Sequence, residues 1–180
     1  MIVVNFFGGA GSGKSSQAAG LFWAMKAQHF SVELVNEFPK QLVWEKHTDP
    51  LSDQLYIFGN QNRQVYRLEG QVEYCITDSP TLLSIVYKDA YSKSPYSDAL
   101  SQLVLESYYR NKNINFFLER TESYETTGRK QSREESMKID ASLKNILDSN
   151  NINYKTLNYE NETNILLTML EYVKSESSTL

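Results

Sequence analysis

Hydrophobic positions in this chain alternate between short uninterrupted runs and longer stretches with helical spacing. Residues 2–7 are β-branched and aromatic and end at glycines, which predicts a strand buried on both faces. From residue 14 to about residue 28, apolar residues recur every three or four positions, which predicts a helix. The chain therefore opens with a strand, a glycine-rich turn and a helix.

The same alternation continues along the rest of the chain. Further strands are predicted at 31–36, 74–77, 115–118 and 153–157. Further helices are predicted at 53–68, 80–89, 97–110, 132–147 and 162–174. Because parallel strands need long crossover connections, this order predicts an α/β fold with a parallel sheet covered on both faces.

Length and composition limit the architecture to one domain. At roughly 150 residues per domain, 180 residues make about one domain, here 1–180. The 18 basic against 22 acidic residues give a net charge of −4, which argues against a large basic surface for nucleic acid but not against a small basic groove. The least apolar stretch, about 119–140, is expected to protrude from the sheet as a polar lid.

Cysteine and histidine usage argues for a reducing compartment and against zinc. Cys75 is the one cysteine in the sequence, and His29 and His47 are its two histidines, so no zinc-ligand spacing exists. No apolar run is long enough to span a membrane, and the N-terminus lacks a basic signal region. We therefore expect a cytoplasmic protein without a membrane segment.

Residues 8–15 match the phosphate-binding pattern Gly-x-x-x-x-Gly-Lys-Ser/Thr at every fixed position. Small residues let backbone N–H groups converge on phosphate oxygens, and the following helix directs its positive end at the same anion. Lys14 would bridge the terminal phosphates of ATP, and the Ser15 hydroxyl would bind Mg²⁺. The residues expected to bind the nucleotide are Gly8, Gly9, Ala10, Gly11, Ser12, Gly13, Lys14, Ser15 and Ser16, together with Arg120. The alternative is a glycine-rich turn with an exposed lysine.

Several classes of protein contain such a phosphate loop, and other features of the sequence distinguish between them. A GTP-dependent switch would carry Asn-Lys-x-Asp, which does not occur in the sequence. A remodelling ATPase would normally need more than 180 residues for its sensor elements. The short chain favours a small kinase.

Two acids lie at the predicted carboxyl ends of strands, where ligands of parallel sheets gather. Glu37 follows the second strand and can accept a proton from an acceptor hydroxyl or simply bind the acceptor. Asp78 follows the third strand, where it would hold Mg²⁺ opposite Ser15. Each also has a plain structural interpretation, as a strand-exit acid for Glu37 and as part of a helix cap before Pro80 for Asp78.

Arginines in the polar stretch are candidates for stabilising the transferred phosphoryl group. Arg129 and Arg133 are four residues apart and would share one face of a helix over the triphosphate. The alternative is a solvated helix in which they pair with neighbouring glutamates. A second set of residues suits a pocket for a base and a phosphate, although some of its members also fit a core or a surface. This set comprises Trp44, Gln54, Tyr56, Phe58, Gln61, Arg63 and Arg67.

The sequence resembles the small P-loop kinases of the AAA-domain type from phages and bacteria. The resemblance lies in residues 6–15, Glu37, residues 78–80, residues 117–120 and residues 128–129. These kinases are related to nicotinamide riboside, thymidylate and deoxynucleoside kinases. The resemblance implies a nucleoside-monophosphate-kinase-like three-layer fold, strand order 2-3-1-4-5, and ATP with Mg²⁺. It also implies Glu37 on the acceptor side, Asp78 as the third-strand acid, and Arg129 and Arg133 in the lid. Thymidylate kinases have Asp-Arg after the third strand, whereas Ser79 follows Asp78 here.

Three functions remain open at this point. The leading expectation is transfer of the γ-phosphoryl group of ATP to a nucleoside- or nucleotide-type acceptor. Some similar phage proteins phosphorylate 5-hydroxymethyluracil in DNA, which would make hydroxymethylated DNA the acceptor and the host cytoplasm the location. A nucleotide-binding regulatory module without an acceptor is the third, and both a monomer and a homodimer fit the sequence.

Overall fold

The structure is a computed structural model, and it describes residues 1–91, 97–119, 133–158 and 164–178. These residues form five strands, seven α-helices and one 3-10 helix. The strands are β1 (Ile2–Phe7), β2 (Val32–Val35), β3 (Tyr74–Thr77), β4 (Lys112–Leu118) and β5 (Lys155–Leu157). The helices are α1 (Lys14–Ala27), α2 (Phe38–Trp44), α3 (Gln54–Tyr66), α4 (Leu83–Tyr91), α5 (Ser97–Tyr109), α6 (Arg133–Ser149) and α7 (Ile165–Ser177), with the 3-10 helix at Asp49–Ser52.

All five strands are parallel and lie in the order β2-β3-β1-β4-β5. The predicted α/β class, parallel sheet and strand order are therefore confirmed. β1 is central and pairs with β3 on one side and with β4 on the other. Five of its six residues are buried, as the continuous apolar run predicts for a strand covered on both faces.

Helices cover both faces of the sheet, and alternate residues of β1 contact different layers. Val4 and Phe6 belong to a core cluster with residues of α1 and α7. Phe7 points to the opposite face and joins a cluster with residues of α4, α5 and α6. Each fully buried side chain of this size contributes about 1.5–3 kcal/mol relative to its exposed state. The fold is thus a three-layer sandwich that holds β1, and the loop after it, from both sides.

β4 begins at Lys112, three residues before the predicted start. The hydrophobic pattern did not predict this part of the strand, because the polar residues Asn113 and Asn115 interrupt the apolar run. In the structure the Asn5 side chain on β1 donates hydrogen bonds to Oδ1 of Asn113 at 2.9 Å and Oδ1 of Asn115 at 3.0 Å. These amides satisfy one another inside the sheet, so they are compatible with a buried strand.

The region between β2 and α3 contains two short elements that the sequence pattern did not predict. They are α2 and the 3-10 helix, and each has a proline in its first turn. Proline is favoured there because the N–H that it lacks would have no partner within the helix. With seven and four residues, these elements are too short for helical periodicity to show.

Residues 133–140, the C-terminal part of the predicted lid, form the first half of α6. Ser136 and Ile139 are buried there, and Leu143 continues the same face into the core. This part of the segment therefore packs against the body of the protein, contrary to the expectation that it protrudes. Residues 120–132 lie outside the described residues, so the lid stays a prediction for them. No helix within the described ranges is long and apolar enough to cross a membrane.

Candidate active site

The phosphate-loop sequence forms the turn between β1 and α1. Gly13 precedes the helix in a left-handed conformation, with φ of 86°. A glycine adopts this conformation without steric cost, and it has no side chain that would occupy the N–H groups of the first helical turn. The start of α1 therefore presents backbone donors and the positive end of the helix dipole to an anion.

Gly8 marks the closest approach between this loop and the sheet. Its φ is +140°, and a Cβ placed there would lie 2.5 Å from Ser12 Oγ and 3.2 Å from the carbonyl oxygen of Leu118. Ser12 is fully buried, and its Oγ has no hydrogen-bond partner among the described residues. The loop therefore packs closely against Ser12 and the end of β4 at Gly8, where there is no room for a side chain.

The Lys14 side chain folds back over the loop. Its Nζ donates a hydrogen bond to the carbonyl oxygen of Gly9 at 2.8 Å. Lys14 also lines the cavity described below. Its ammonium group therefore lies at the loop, where it could contact the phosphates of a bound nucleotide.

Ser15 and Asp78 meet across the space between α1 and the end of β3. Ser15 Oγ donates a hydrogen bond to Asp78 Oδ2 at 2.5 Å. The Asp78 side chain is only 4% exposed, and within the described part of the chain its second oxygen, Oδ1, has no hydrogen-bond partner. The turn that carries it is fixed because Ser79 N–H donates to Thr77 Oγ1 at 3.1 Å.

This pair of oxygen donors fits a magnesium ion. A buried carboxylate oxygen without a partner is costly unless a cation or a donor group satisfies it. Hydroxyl and carboxylate oxygens are the ligands that Mg²⁺ prefers, and Mg²⁺ takes most of its remaining ligands from water and phosphate. In the described ranges no cluster of three or more His, Cys, Asp or Glu could hold a metal ion by itself.

One cavity of about 740 Å³ joins the phosphate loop to the region around α2, α3 and α4. Loop residues with atoms facing this cavity are Ala10, Gly11, Gly13, Lys14, Ser15 and Ser16. Asp78 lines it as well, and so does Glu37 from the far side of β3. The structure thus brings the predicted loop, the third-strand acid and the second-strand acid to one space.

Glu37 lies directly before α2, and a buried glutamine fixes the backbone around it. Gln61 on α3 is 3% exposed; its Oε1 accepts the Phe38 N–H at 2.9 Å, and its Nε2 donates to the Asn36 carbonyl at 3.3 Å. Both peptide groups that flank Glu37 are therefore held by the same side chain. Sequence reasoning named Gln61 as a pocket residue but could not assign this role, because the bonds span about 25 positions.

Gln54 offers a polar group to the cavity. Its Nε2 donates to the Leu51 carbonyl at 2.8 Å, which fixes the plane of the amide. Its Oε1 is buried and finds no donor in the described residues. Since Gln54 lines the cavity, this oxygen can accept a hydrogen bond from a bound molecule.

The other residues predicted for the acceptor pocket do not line the cavity. Trp44 is 64% exposed, Tyr56 packs edge-on against Phe38 at 5.7 Å, and Phe58 belongs to the core. Arg63 on α3 and Arg67, directly after its last residue, are exposed. The polar lining residues that the sequence did not single out are Lys40, Thr48, Asp49, Ser52, Ser84, Tyr87 and Glu135. Of these, Lys40 follows Glu37 by three positions and was the easiest to find; the others depend on how the helices pack.

The described residues do not test the three arginines predicted for the nucleotide site and the lid. Arg120 and Arg129 lie outside the described residues. Arg133 is the first residue of α6, but the structure does not describe its side chain. Their contribution to phosphoryl transfer stays a prediction.

Solved structures of known proteins share this fold. Deoxyadenosine kinase from M. mycoides, solved with bound dATP, matches with a TM-score of 0.61 at 16% identity, covering 98% of this chain and 99% of that one. Thymidylate kinase from Ehrlichia chaffeensis matches with a TM-score of 0.66 at 17% identity, covering 96% of this chain and 98% of that one. At these identities the likeness shows the fold. Among curated proteins, none matches this chain. A family model described as an AAA domain matches residues 3–163, so the chain belongs to this AAA domain family.

Proposed function

We propose that this protein is an ATP- and Mg²⁺-dependent kinase that transfers the γ-phosphoryl group to a hydroxyl group of a nucleoside-type acceptor. The observation that carries the proposal is the single cavity lined by the phosphate loop, by Asp78 and by Glu37. Its volume of about 740 Å³ lies within the range of small-molecule sites. The shared fold with deoxyadenosine kinase and thymidylate kinase supports the same class of reaction.

On the donor side, the loop binds the phosphates and holds their charge. The N–H groups at the start of α1 and the Lys14 ammonium are the positive groups that face them. Ser15 and Asp78 would hold Mg²⁺, which neutralises charge on the phosphate oxygens when it is bound. The role of these residues is to position and stabilise the γ-phosphoryl group, which is most of what a protein contributes to this chemistry.

On the acceptor side, the Glu37 carboxylate favours a hydroxyl acceptor over a phosphate acceptor. A carboxylate can take the proton from a hydroxyl as the oxygen attacks phosphorus, whereas it repels a phosphate monoester. The cationic residues lining the cavity, within the described ranges, are Lys14 and Lys40. Because Lys14 belongs to the donor site, Lys40 is the one basic residue in the described part of the cavity lining that would offset the charge of an acceptor phosphate.

The phosphoryl group is then transferred in one displacement step. The acceptor oxygen forms a bond to the γ-phosphorus, and the bond from that phosphorus to the β,γ-bridging oxygen breaks. ADP leaves with the electron pair, and the acceptor proton passes to Glu37. The Gln54 Oε1 accepts a hydrogen bond from an N–H of the acceptor base, which orients it.

The direct test is transfer of label from γ-³²P-ATP with Mg²⁺ to a panel of acceptors. The panel contains nucleosides, nucleoside monophosphates, and duplex DNA with and without 5-hydroxymethyluracil. We expect label on a free nucleoside. Label on a monophosphate would refute the hydroxyl assignment, and label on the modified DNA alone would make the protein a DNA kinase. Label found only as inorganic phosphate, or left on ATP, would instead support a regulatory module.

Two variants separate the donor and acceptor sides. Lys14→Ala is expected to lower transfer about 100-fold or more, since it removes a charge that the transition state needs. Glu37→Gln is expected to lower kcat about 100-fold while ATP binding stays unchanged. Glu45→Gln, the same substitution at the exposed C-terminal end of α2, is the control and should behave as the wild type. Wild-type turnover of Lys14→Ala would refute the kinase proposal.

A further inference from the structure

Helix α6 contacts the phosphate loop through a carboxylate. The backbone N–H of Gly9 donates a hydrogen bond to Asp140 Oδ1, across 131 positions of sequence. No pattern in the sequence points to this contact, and the phosphate-binding motif does not include Asp140. The structure therefore attaches the loop to an element that the motif does not contain.

The position of Asp140 is fixed by the packing of α6. Ile139, the preceding residue, is buried in the core cluster that contains Phe7, and Ser136 and Leu143 are fully buried on the same side of the helix. A carboxylate on a helix anchored in this way offers the loop a defined hydrogen-bond acceptor rather than a mobile one. The contact is also partly buried, which shields it from competing water.

The other polar group of Gly9 holds the catalytic lysine. The Gly9 carbonyl accepts hydrogen bonds from Lys14 Nζ at 2.8 Å and from the Ser12 N–H at 3.4 Å. Glycine has the most freedom of any residue to rotate about its backbone bonds, so Gly9 needs an external restraint if its carbonyl is to stay in place. Asp140 supplies this restraint on the N–H side of the same residue.

We propose that Asp140 is a positioning residue for ATP binding, which holds Gly9 so that the loop and Lys14 keep their phosphate-binding arrangement. The inference rests on the proposed function, in that the loop binds ATP. It assigns no contact between Asp140 and the nucleotide. The negative charge of the carboxylate opposes the phosphates, whereas its hydrogen bond to Gly9 favours them, so the two effects can be separated by substitution.

The experiment measures equilibrium binding of ATP with Mg²⁺ by calorimetry in four proteins. Asp140→Ala removes both the acceptor and the charge, and it is expected to bind ATP about three- to tenfold more weakly than Asp140→Asn, as for the loss of one hydrogen bond. Asp140→Asn keeps an acceptor oxygen and removes the charge, so it is expected to bind ATP as tightly as the wild type or more tightly. Glu171→Ala, at an exposed position of α7, removes the same charge far from the loop and should change nothing.

Opposite behaviour of the alanine and asparagine variants supports the proposal, because a general loss of structure would not weaken one and spare the other. Equal binding of ATP by Asp140→Ala and Asp140→Asn overturns it, because these two variants lack the same charge and differ in the acceptor oxygen. If Asp140→Ala does not fold, Asp140→Glu replaces it: the charge stays but the oxygen moves by one methylene, and weaker binding is again expected. Wild-type protein that binds ATP but transfers no phosphoryl group refutes the kinase proposal alone, whereas wild-type protein that binds no nucleotide refutes both.

Discussion

Replacing Gly8 by alanine tests whether the phosphate loop depends on its close approach to β4. Alanine at φ +140° is strained by about 1–3 kcal/mol. Its Cβ would also lie 2.5 Å from Ser12 Oγ, 3.0 Å from Ser12 Cβ and 3.2 Å from the Leu118 carbonyl oxygen. The serine hydroxyl can rotate away, but the backbone oxygen cannot, and such overpacking adds about 1–3 kcal/mol. We expect Gly8→Ala to lower the free energy of unfolding by about 3 kcal/mol, or Tm by about 6–12 °C.

Alanine substitutions at two other glycines distinguish backbone strain from steric overpacking in the expected loss of stability. Gly70 has φ of +75° with no atom within 4 Å of the position of a Cβ, so Gly70→Ala measures backbone strain alone, about 1 kcal/mol. Gly59 has the same open space inside α3 and no positive φ, so Gly59→Ala should stabilise the protein by about 0.5–1 kcal/mol. Urea unfolding followed by circular dichroism gives all three free energies on one scale.

A double mutant identifies the contact responsible. Ser12→Ala removes the hydroxyl nearest to the new methyl group, so Gly8→Ala with Ser12→Ala should be about 1 kcal/mol more stable than the sum of the two single changes. If Gly8→Ala is as stable as Gly70→Ala, the loop is not packed against Ser12 and Leu118 as described. Strict additivity of the pair would refute the contact with Ser12 in particular.

Three further predictions concern the core and the acceptor side. Tyr108→Phe removes the 3.0 Å hydrogen bond from Tyr108 to Asn115 and should lower the free energy of unfolding by about 1 kcal/mol, measured by the same urea titration. Burial raises the pKa of Cys75 to about 12, so the thiol stays protonated at pH 8 and should react with a disulfide reagent only after unfolding; rapid reaction of the native protein would contradict its burial. Gln61→Leu releases both peptide groups beside Glu37 and should raise KM for the acceptor several-fold while leaving ATP binding unchanged, which steady-state kinetics and calorimetry can check together.

The fold was predictable where the determinants are local. β3 matches its predicted bounds, because four buried residues stand between polar ones. The phosphate loop was predictable for the same reason, since its glycines, Lys14 and Ser15 lie within eight consecutive positions. Such features depend on neighbours in sequence, and those neighbours are visible in the sequence.

The rest of the site depends on contacts between distant elements. Gln54 and Gln61 look alike as helical amides, but the buried Oε1 of Gln54 has no donor among the described residues, whereas Gln61 holds the backbone around Glu37. Asp140 is one acid among several in a polar segment, and only the packing of α6 brings it to Gly9. Residue type and position along the chain do not contain this information, so sequence reasoning could name candidates without assigning their roles.

The asparagines of β1 and β4 fix the register of the strand that leads into the phosphate loop. A one-residue shift of β1 against β4 would turn every side chain of the shifted strand to the opposite face of the sheet. Such a shift would also break the bonds from Asn5 to Asn113 and Asn115, each of which contributes about 0.5–1.5 kcal/mol. In the observed register Asn5 lies opposite Asn115 on β4 and opposite Thr77 on β3, one residue before Asp78. The amides that interrupt the apolar pattern of β4 thus fix the alignment of β1, the strand that leads into the phosphate loop, against β4.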